Sequence, residues 1–262
     1  MAHIDTTVPG SFCWVELATT DQNAAKAFYA SLFGWAASDF PMGPGDFYTM
    51  FKLEDRDVAA GYTMRKDEQQ LGVPPHWNLY IAVENADAAA ARASELGGKV
   101  LAPPFDVFDA GRMVVIQDPT GAIFHAWQPL RHRGIGISNV HGAFCWADLN
   151  TGDVAAARAF YSGLLGWKIE PGEKDPSGYL HISNGEHMIG GVPSAEQVPP
   201  NTPPHWLLYF EVADCDASTA KATELGARAL MPPMSLEGVG RFAVIADPQG
   251  AVFALFTPAR RA

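Results

Sequence analysis

Cysteine is scarce: only Cys13, Cys145 and Cys215 occur in 262 residues, too few and too scattered for a disulfide framework or a zinc knuckle. On that count the chain reads as cytoplasmic. No stretch approaches the roughly 18 consecutive apolar residues that a membrane span needs. The start, Met-Ala-His-Ile-Asp-Thr-Thr, has no basic region leading into an apolar one, so neither an export signal nor an anchor is expected. Positive charge is also short, with 18 Lys and Arg against 29 Asp and Glu and a net charge of −11. With no cationic stripe to neutralise phosphates, nucleic acid and anionic membrane surfaces are not expected partners. A glycine-rich phosphate loop, a nucleophile elbow and a paired-cysteine motif are all missing. What remains, 48% hydrophobic and 18% charged residues, is the mixture of a packed globule long enough for two domains.

The strongest positive signal is an internal repeat. Phe12-Cys-Trp-Val-Glu-Leu-Ala-Thr19 returns as Phe144-Cys-Trp-Ala-Asp-Leu-Asn-Thr151, and Ala27-Phe-Tyr-Ala-Ser-Leu-Phe-Gly-Trp35 as Ala159-Phe-Tyr-Ser-Gly-Leu-Leu-Gly-Trp167, both at an offset of 132. Pro75-His-Trp-Asn-Leu-Tyr80 returns as Pro204-His-Trp-Leu-Leu-Tyr209, and Asp118-Pro-Thr-Gly121 as Asp247-Pro-Gln-Gly250, at 129. The three lost residues belong in loops between Gly34 and Pro75, where length changes are tolerated. The seam from Leu130 to His141, with Gly134 and Gly136 and mixed polarity, suits a crossing segment. Two domains are therefore expected, 1–133 and 134–262.

Each copy reads as a short strand, a helix, then several strands, twice over. Asp21 can cap a helix running to Leu32 and closed by Gly34, with Ala25, Phe28, Tyr29 and Leu32 at helical spacing. Asp153 to Leu164, closed by Gly166, repeats the device. Second helices are expected over Ala86–Leu96 and Asp216–Leu225, each followed by glycine. On strands, alternation separates the faces. Val15 and Leu17 oppose Trp14, Glu16 and Ala18, and Trp77, Leu79 and Ile81 oppose His76, Asn78 and Tyr80. In the second copy Cys145, Ala147 and Leu149 oppose Phe144, Trp146 and Asp148, and Trp206, Leu208 and Phe210 oppose His205, Leu207 and Tyr209. One face thus meets helices. The other mixes aromatics, imidazoles and carboxylates, as where an apolar ligand is oriented by a few polar groups. The same aromatics also read as amphipathic core residues with satisfied polar tips.

The run Thr20 to Trp35 and the turn Asp118-Pro-Thr-Gly-Ala-Ile-Phe-His125, both repeated in the second half, resemble the glyoxalase/bleomycin-resistance/extradiol dioxygenase, or vicinal oxygen chelate, superfamily. The resemblance covers nearly the whole chain. It implies an α+β fold of tandem glyoxalase-like domains, each of two βαβββ modules forming a half-open, cupped mixed sheet with helices outside. Metal-dependent members place His, Glu or Gln at four positions around the cup. Here those positions fall on Trp14, near Gly61, Asn78 and His125, and in the second copy on Trp146, about Gly191, Leu207 and Ala254. His125 alone is a usual ligand, whereas zinc, nickel or iron needs about three such donors. No metal ligands and no cofactor are therefore expected. A shifted divalent-metal site from Glu16, His76 and His125 stays open.

Two functions follow from the residues and the resemblance. The first is metal-independent binding of a small aromatic or carbonyl compound, by Trp14, Asn78, Tyr80, Arg112 and Trp127 in one copy and Trp146, Asp148, His205, Tyr209 and Arg241 in the other. The second is an enzyme, a metal-assisted lyase or isomerase, or a dioxygenase or hydroxylase, with Glu16 as base and His76 or His125 assisting. Several of these residues have plainer readings. Arg112 and Arg241 can pair with a nearby carboxylate instead of a ligand. His76 and His205 follow Pro-Pro and can simply bond the turn. Cys13 and Cys145 read as packing residues on the helix-facing parity, and Asp118 and Asp247 as turn residues. Self-association stays open as well.

Overall fold

The computed structural model describes residues 3–172, 178–194, 196–198 and 201–259. The first half runs β1 (Phe12–Thr19), α1 (Gln22–Phe33), β2 (Ala36–Gly43), β3 (Asp46–Leu53), β4 (Arg56–Thr63), α2 (Lys66–Gln70), β5 (His76–Ala82), α3 (Ala86–Glu95), β6 (Lys99–Val107), β7 (Gly111–Gln117) and β8 (Ile123–Pro129). The second runs β9 (Phe144–Asn150), α4 (Val154–Leu165), β10 (Lys168–Pro171), β11 (Leu180–Asn184), β12 (His187–Val192), β13 (His205–Glu211), α5 (Cys215–Glu224), β14 (Arg228–Leu236), β15 (Gly240–Ala246) and β16 (Val252–Pro258). Each half forms one 8-stranded sheet, ordered β2-β3-β4-β1-β5-β8-β7-β6 and β10-β11-β12-β9-β13-β16-β15-β14. Parallel pairs β1/β4 and β5/β8 mark two βαβββ modules, joined by the antiparallel β1/β5 seam. None of the described helices is long and apolar enough to cross a membrane.

Local chemistry sets the helix ends. The Asp21 carboxylate accepts from the Ala24 amide and Asp153 from Ala156, while Gly34 and Gly166 close α1 and α4 at φ 77° and 72°, a left-handed conformation that costs glycine little. Of the second helices, α3 starts at Ala86 as expected, capped by Asn85, whereas α5 starts one residue early, at Cys215, because Asp214 caps it. The short α2 carries no buried residue, and so had no apolar periodicity to announce it. The seam forms neither helix nor strand beyond one bridge from Ile137 to His3. At Gly134 a β-carbon would collide with the Cys13 carbonyl, to which the next amide, Ile135, donates at 2.7 Å.

The helix-facing sides of both sheets and α1 and α4 share one continuous hydrophobic core. Phe33 of α1 lies 5.3 Å from Phe210 of the other half, and Phe28 lies 6.5 Å from Phe253. Reciprocal hydrogen bonds tie the halves. Tyr29 donates to Asp247 at 2.9 Å and receives from Trp77 at 3.2 Å, while Tyr161 donates to Asp118 at 3.0 Å and receives from Trp206 at 3.1 Å. Trp35 reaches the Gly142 carbonyl at 2.6 Å and Trp167 the Gly10 carbonyl at 2.7 Å. Asp118 and Asp247 are turn residues, as expected. One oxygen of each carboxylate gathers the turn amides, and the other receives a tyrosine from across the interface. With one face of each sheet spent on this core, the other faces away from it.

Candidate functional site

Register places the first cup's residues on one face. Across β1 and β5, Trp14 pairs with Tyr80 and Glu16 with Asn78. Tyr80 lies beside His125 on β8, which pairs with Val115, and Trp127 pairs with Met113. On the other flank Glu16 meets Ala60, and β3 brings Tyr48 against Tyr62 and Met50 against Ala60. The face parity holds from Trp14 onward but is broken at the start of β1 and β9. A bulge at Cys13 pairs Phe12 with Ile81, and one at Cys145 pairs Phe144 with Phe210. Phe144 therefore joins the shared core, 6.1 Å from Phe12, instead of the cup with Trp146. Cys145, expected on the helix side, rests against the cup cluster of Leu207, Tyr209 and Ala254. A bulge shifts alternation by one residue, and no turn residue flagged it.

At the first cup's centre the Glu16 carboxylate is 7% exposed and accepts from the Tyr80 hydroxyl at 2.8 Å and from Tyr48. Burial pushes its pKa above the usual carboxylate range, and the two hydroxyls hold it back, since desolvation disfavours the charged form while donors favour it. The same burial and the nearby carboxylate raise Tyr48, Tyr62 and Tyr80. Trp14 donates to the Tyr48 hydroxyl at 3.3 Å, and Asn78 reaches Tyr62 at 3.5 Å. The His125 ring sits 4.4 Å from that of Tyr80, 8% exposed, and its Nδ1 has no hydrogen-bond partner. Burial, then the neighbouring His76, lowers its pKa to about 3, so the ring is neutral at ordinary pH. A buried polar atom without a partner costs about 1–3 kcal/mol.

The second cup repeats the cradle. Asp148 accepts from Tyr179 at 2.6 Å, Tyr209 at 2.7 Å and Trp146 at 3.0 Å, and burial again raises its pKa against those donors. Only glycine fits at Gly191, because a β-carbon there would strike the Tyr179 hydroxyl. Ala254 replaces His125, but an imidazole enters from another strand. His181 of β11 lies 5.2 Å from Tyr179, and its Nδ1 is also buried without a partner.

Not every candidate reaches a cup. Arg112 pairs with Gln128 on the opposite face and binds Asp87 of α3 at 2.7 Å and Asp106 at 2.8 Å. Arg241 likewise binds Asp216 of α5. Both serve as helix-to-sheet ties rather than rim cations. His76 and His205 each bond the proline carbonyl two residues earlier, at 2.8 Å, and stand at the strand entrances. His205 also meets Asn150 at 3.4 Å. Trp127 donates to the His132 carbonyl at 3.0 Å, and the His132 ring closes on Trp14 at 4.4 Å, so the seam forms one rim of the first cup. Among the described residues no three His, Cys, Asp or Glu side chains are placed to hold a metal. The donor chemistry agrees. The four family positions carry an indole, an amide, an imidazole and, on β4, Ala60, because Gly61 faces Phe51 on the helix side. Glu16 is engaged by tyrosines and His76 by Pro74, so the shifted triad is not assembled and the residues do not fit a metal centre. Sequence reasoning missed Tyr48, Tyr62, Tyr179, His132 and His181. Extending the period-2 reading through Asp46–Leu53 would have exposed Tyr48 and Met50 on the cup face.

Known proteins carry the same architecture. A profile of the "Glyoxalase/Bleomycin resistance protein/Dioxygenase superfamily" matches residues 11–125, and one of the "Glyoxalase-like domain" matches 146–256. A Mycobacterium bovis protein named "Putative glyoxylase CFP32" is 42% identical over 252 residues, covering 94% of both chains. The "Anthracycline biosynthesis protein DnrV" of Streptomyces peucetius is 34% identical over 261 residues, 94% of this chain and 93% of that one. The Mn(II)-bound glyoxalase from Novosphingobium aromaticivorans shares the fold, with TM-score 0.65 at 16% identity over 98% of this chain and 83% of its own. Two sheets of paired βαβββ modules, a matching profile on each half and full-length relatives together make this chain a tandem-domain member of the glyoxalase/bleomycin-resistance/dioxygenase superfamily.

Proposed function

We propose that the chain binds a small aromatic or carbonyl-bearing compound in its first cup without the metal used by other family members, and does so in the cytoplasm. The observation that carries this is the unsatisfied Nδ1 of His125, held neutral by burial against the Tyr80 ring, which itself meets Trp127 and bonds Glu16. Aromatic walls supply affinity through apolar area, and one oriented imidazole supplies direction. The anthracycline name of the Streptomyces peucetius relative supports the aromatic class, since anthracyclines are polycyclic aromatic ketones. The His125 Nδ1 donates to a ligand carbonyl if it carries the ring proton and accepts from a ligand hydroxyl if it does not.

The same groups favour one catalytic alternative. Glu16, with its raised pKa and two tyrosine donors, is built to exchange a proton with a bound carbonyl compound, which would make the cup a lyase or isomerase site. The test common to both readings is quenching of tryptophan fluorescence by 2-acetonaphthone and related aryl ketones. Saturable quenching is expected, weakened about tenfold by His125→Ala. If no aryl ketone, phenol or quinone quenches the full-length protein, binding in the first cup is wrong. Turnover that vanishes in Glu16→Gln while quenching persists would select the enzyme.

A further inference from the structure

The second cup departs from the first along its outer strands. Through the Tyr48 and Tyr179 equivalence, His181 stands where the first cup has Met50, and its cross-strand partner Glu170 where Ser38 pairs with Met50. Lys168, paired with Ser183, takes the place of Ala36, paired with Lys52. Three apolar or neutral positions have thus become an ammonium, a carboxylate and an imidazole on adjoining rows of one face. The substitutions line an open cavity of ≈ 360 Å³, bounded by Lys168, Glu170, His181, Ser183, Glu186 and Met188 among others. His181 lines this cavity, and its Nδ1 is buried with no hydrogen-bond partner.

We propose that this cavity is a second binding site, distinct from the first cup, for a small organic ammonium compound that also carries a hydroxyl or phenol. Glu170 and Glu186 outnumber Lys168, so the rim favours a cation over an anion. The ammonium lies against the two carboxylates, the ligand hydroxyl meets the His181 imidazole that lines the cavity, and the carbon skeleton rests on the Met188 thioether, which is 62% exposed and adaptable. Lys168 beside Ser183 supplies donors to any further ligand oxygen. Behind the cavity, the Asp148–Tyr179–Tyr209 cradle holds β9, β11 and β13 together, so the wall that carries His181 is preorganised.

Tyramine is the probe, with 4-hydroxyphenylacetate as its anionic match and phenethylamine as its match without the hydroxyl. Binding to the full-length protein is read from the Met188 methyl and His181 ring signals by nuclear magnetic resonance. Neither signal reports on Trp14 or Trp127, so the result is separate from that of the first cup. Tyramine should shift both signals saturably, and the other two compounds should bind at least about tenfold more weakly. Restoring first-cup residues should weaken tyramine by a similar factor in Glu170→Ser and in His181→Met. Glu170 is exposed, so its variant keeps the fold. No shift at millimolar tyramine, an equal response to 4-hydroxyphenylacetate, or unchanged affinity in Glu170→Ser would each overturn the proposal.

Discussion

The two cups share a centre and differ at the edge. Both bury one carboxylate on their first strand, Glu16 or Asp148, under a tyrosine from the adjacent antiparallel strand, Tyr80 or Tyr209, and another from the outer hairpin, Tyr48 or Tyr179. Each adds an imidazole whose Nδ1 has no partner, but from opposite flanks, His125 on β8 and His181 on β11, and the first cup's rim adds His132, whose Nε2 is also unpartnered. The centre therefore reads as architecture, a polar network that pins three strands in register. The imidazole and the charges of the outer strands are where the two halves differ. The halves therefore differ at those peripheral positions and agree in the repeated carboxylate.

That comparison rests on the halves being equivalent in their core, which the largest effect would test. Phe253 packs against Phe28, Tyr29, Phe33 and Phe210, and Phe124 against Phe160 and Tyr161, and both are fully buried. Phe253→Ala and Phe124→Ala should each cost about 3–5 kcal/mol and lower one shared denaturation transition. Two separate transitions, only one of them displaced, would show the halves to be independent. Next in size are the reciprocal clamps. Tyr29→Phe and Tyr161→Phe each leave one oxygen of a buried aspartate and an indole N–H without a partner, at about 1–3 kcal/mol. Urea titration should give nearly equal losses, and a large inequality would break the symmetry.

Smaller and opposite in sign are two pH effects. His125 has its pKa lowered from 6.5 to about 3 by burial, so its contribution is intact above 6.5 and is lost progressively as pH falls toward 3. His125→Ala, which copies Ala254 of the second half, should flatten that acid loss when melting temperatures are compared across this range. Glu16 and Asp148 have raised pKa values, so their contribution is present below the ordinary carboxylate range and fades as pH rises through the raised values. Glu16→Gln and Asp148→Asn should therefore both reduce the decline on the alkaline side. A response from only one of them would show that the two cradles are not electrostatically alike.

Much of this was legible in the sequence. The repeat, the Asp21 and Asp153 caps, the closing glycines and the strand parity of Glu16, Asn78 and Tyr80 all express local rules of spacing and capping, and the fold obeys them. The bulges at Cys13 and Cys145 were not legible, because an extra residue leaves no compositional mark, and they moved Phe144 into the core. Arg112 and Arg241 looked like rim cations because each opens a strand, yet parity sends them to the helix side, where Asp87 and Asp216 wait on the second helices. His181 was hidden for a different reason. The second copy changed which strand supplies the imidazole, so mapping by equivalence found only Ala254.

The central claim is that the first cup holds its ligand through aromatic walls and His125, with no metal between them. Calorimetric titration of chelator-treated full-length protein with 2-acetonaphthone tests it most directly. Saturable binding that is unchanged on adding Mn²⁺ or Fe²⁺ is the predicted result. Heat of binding that appears only after the metal is restored would contradict it.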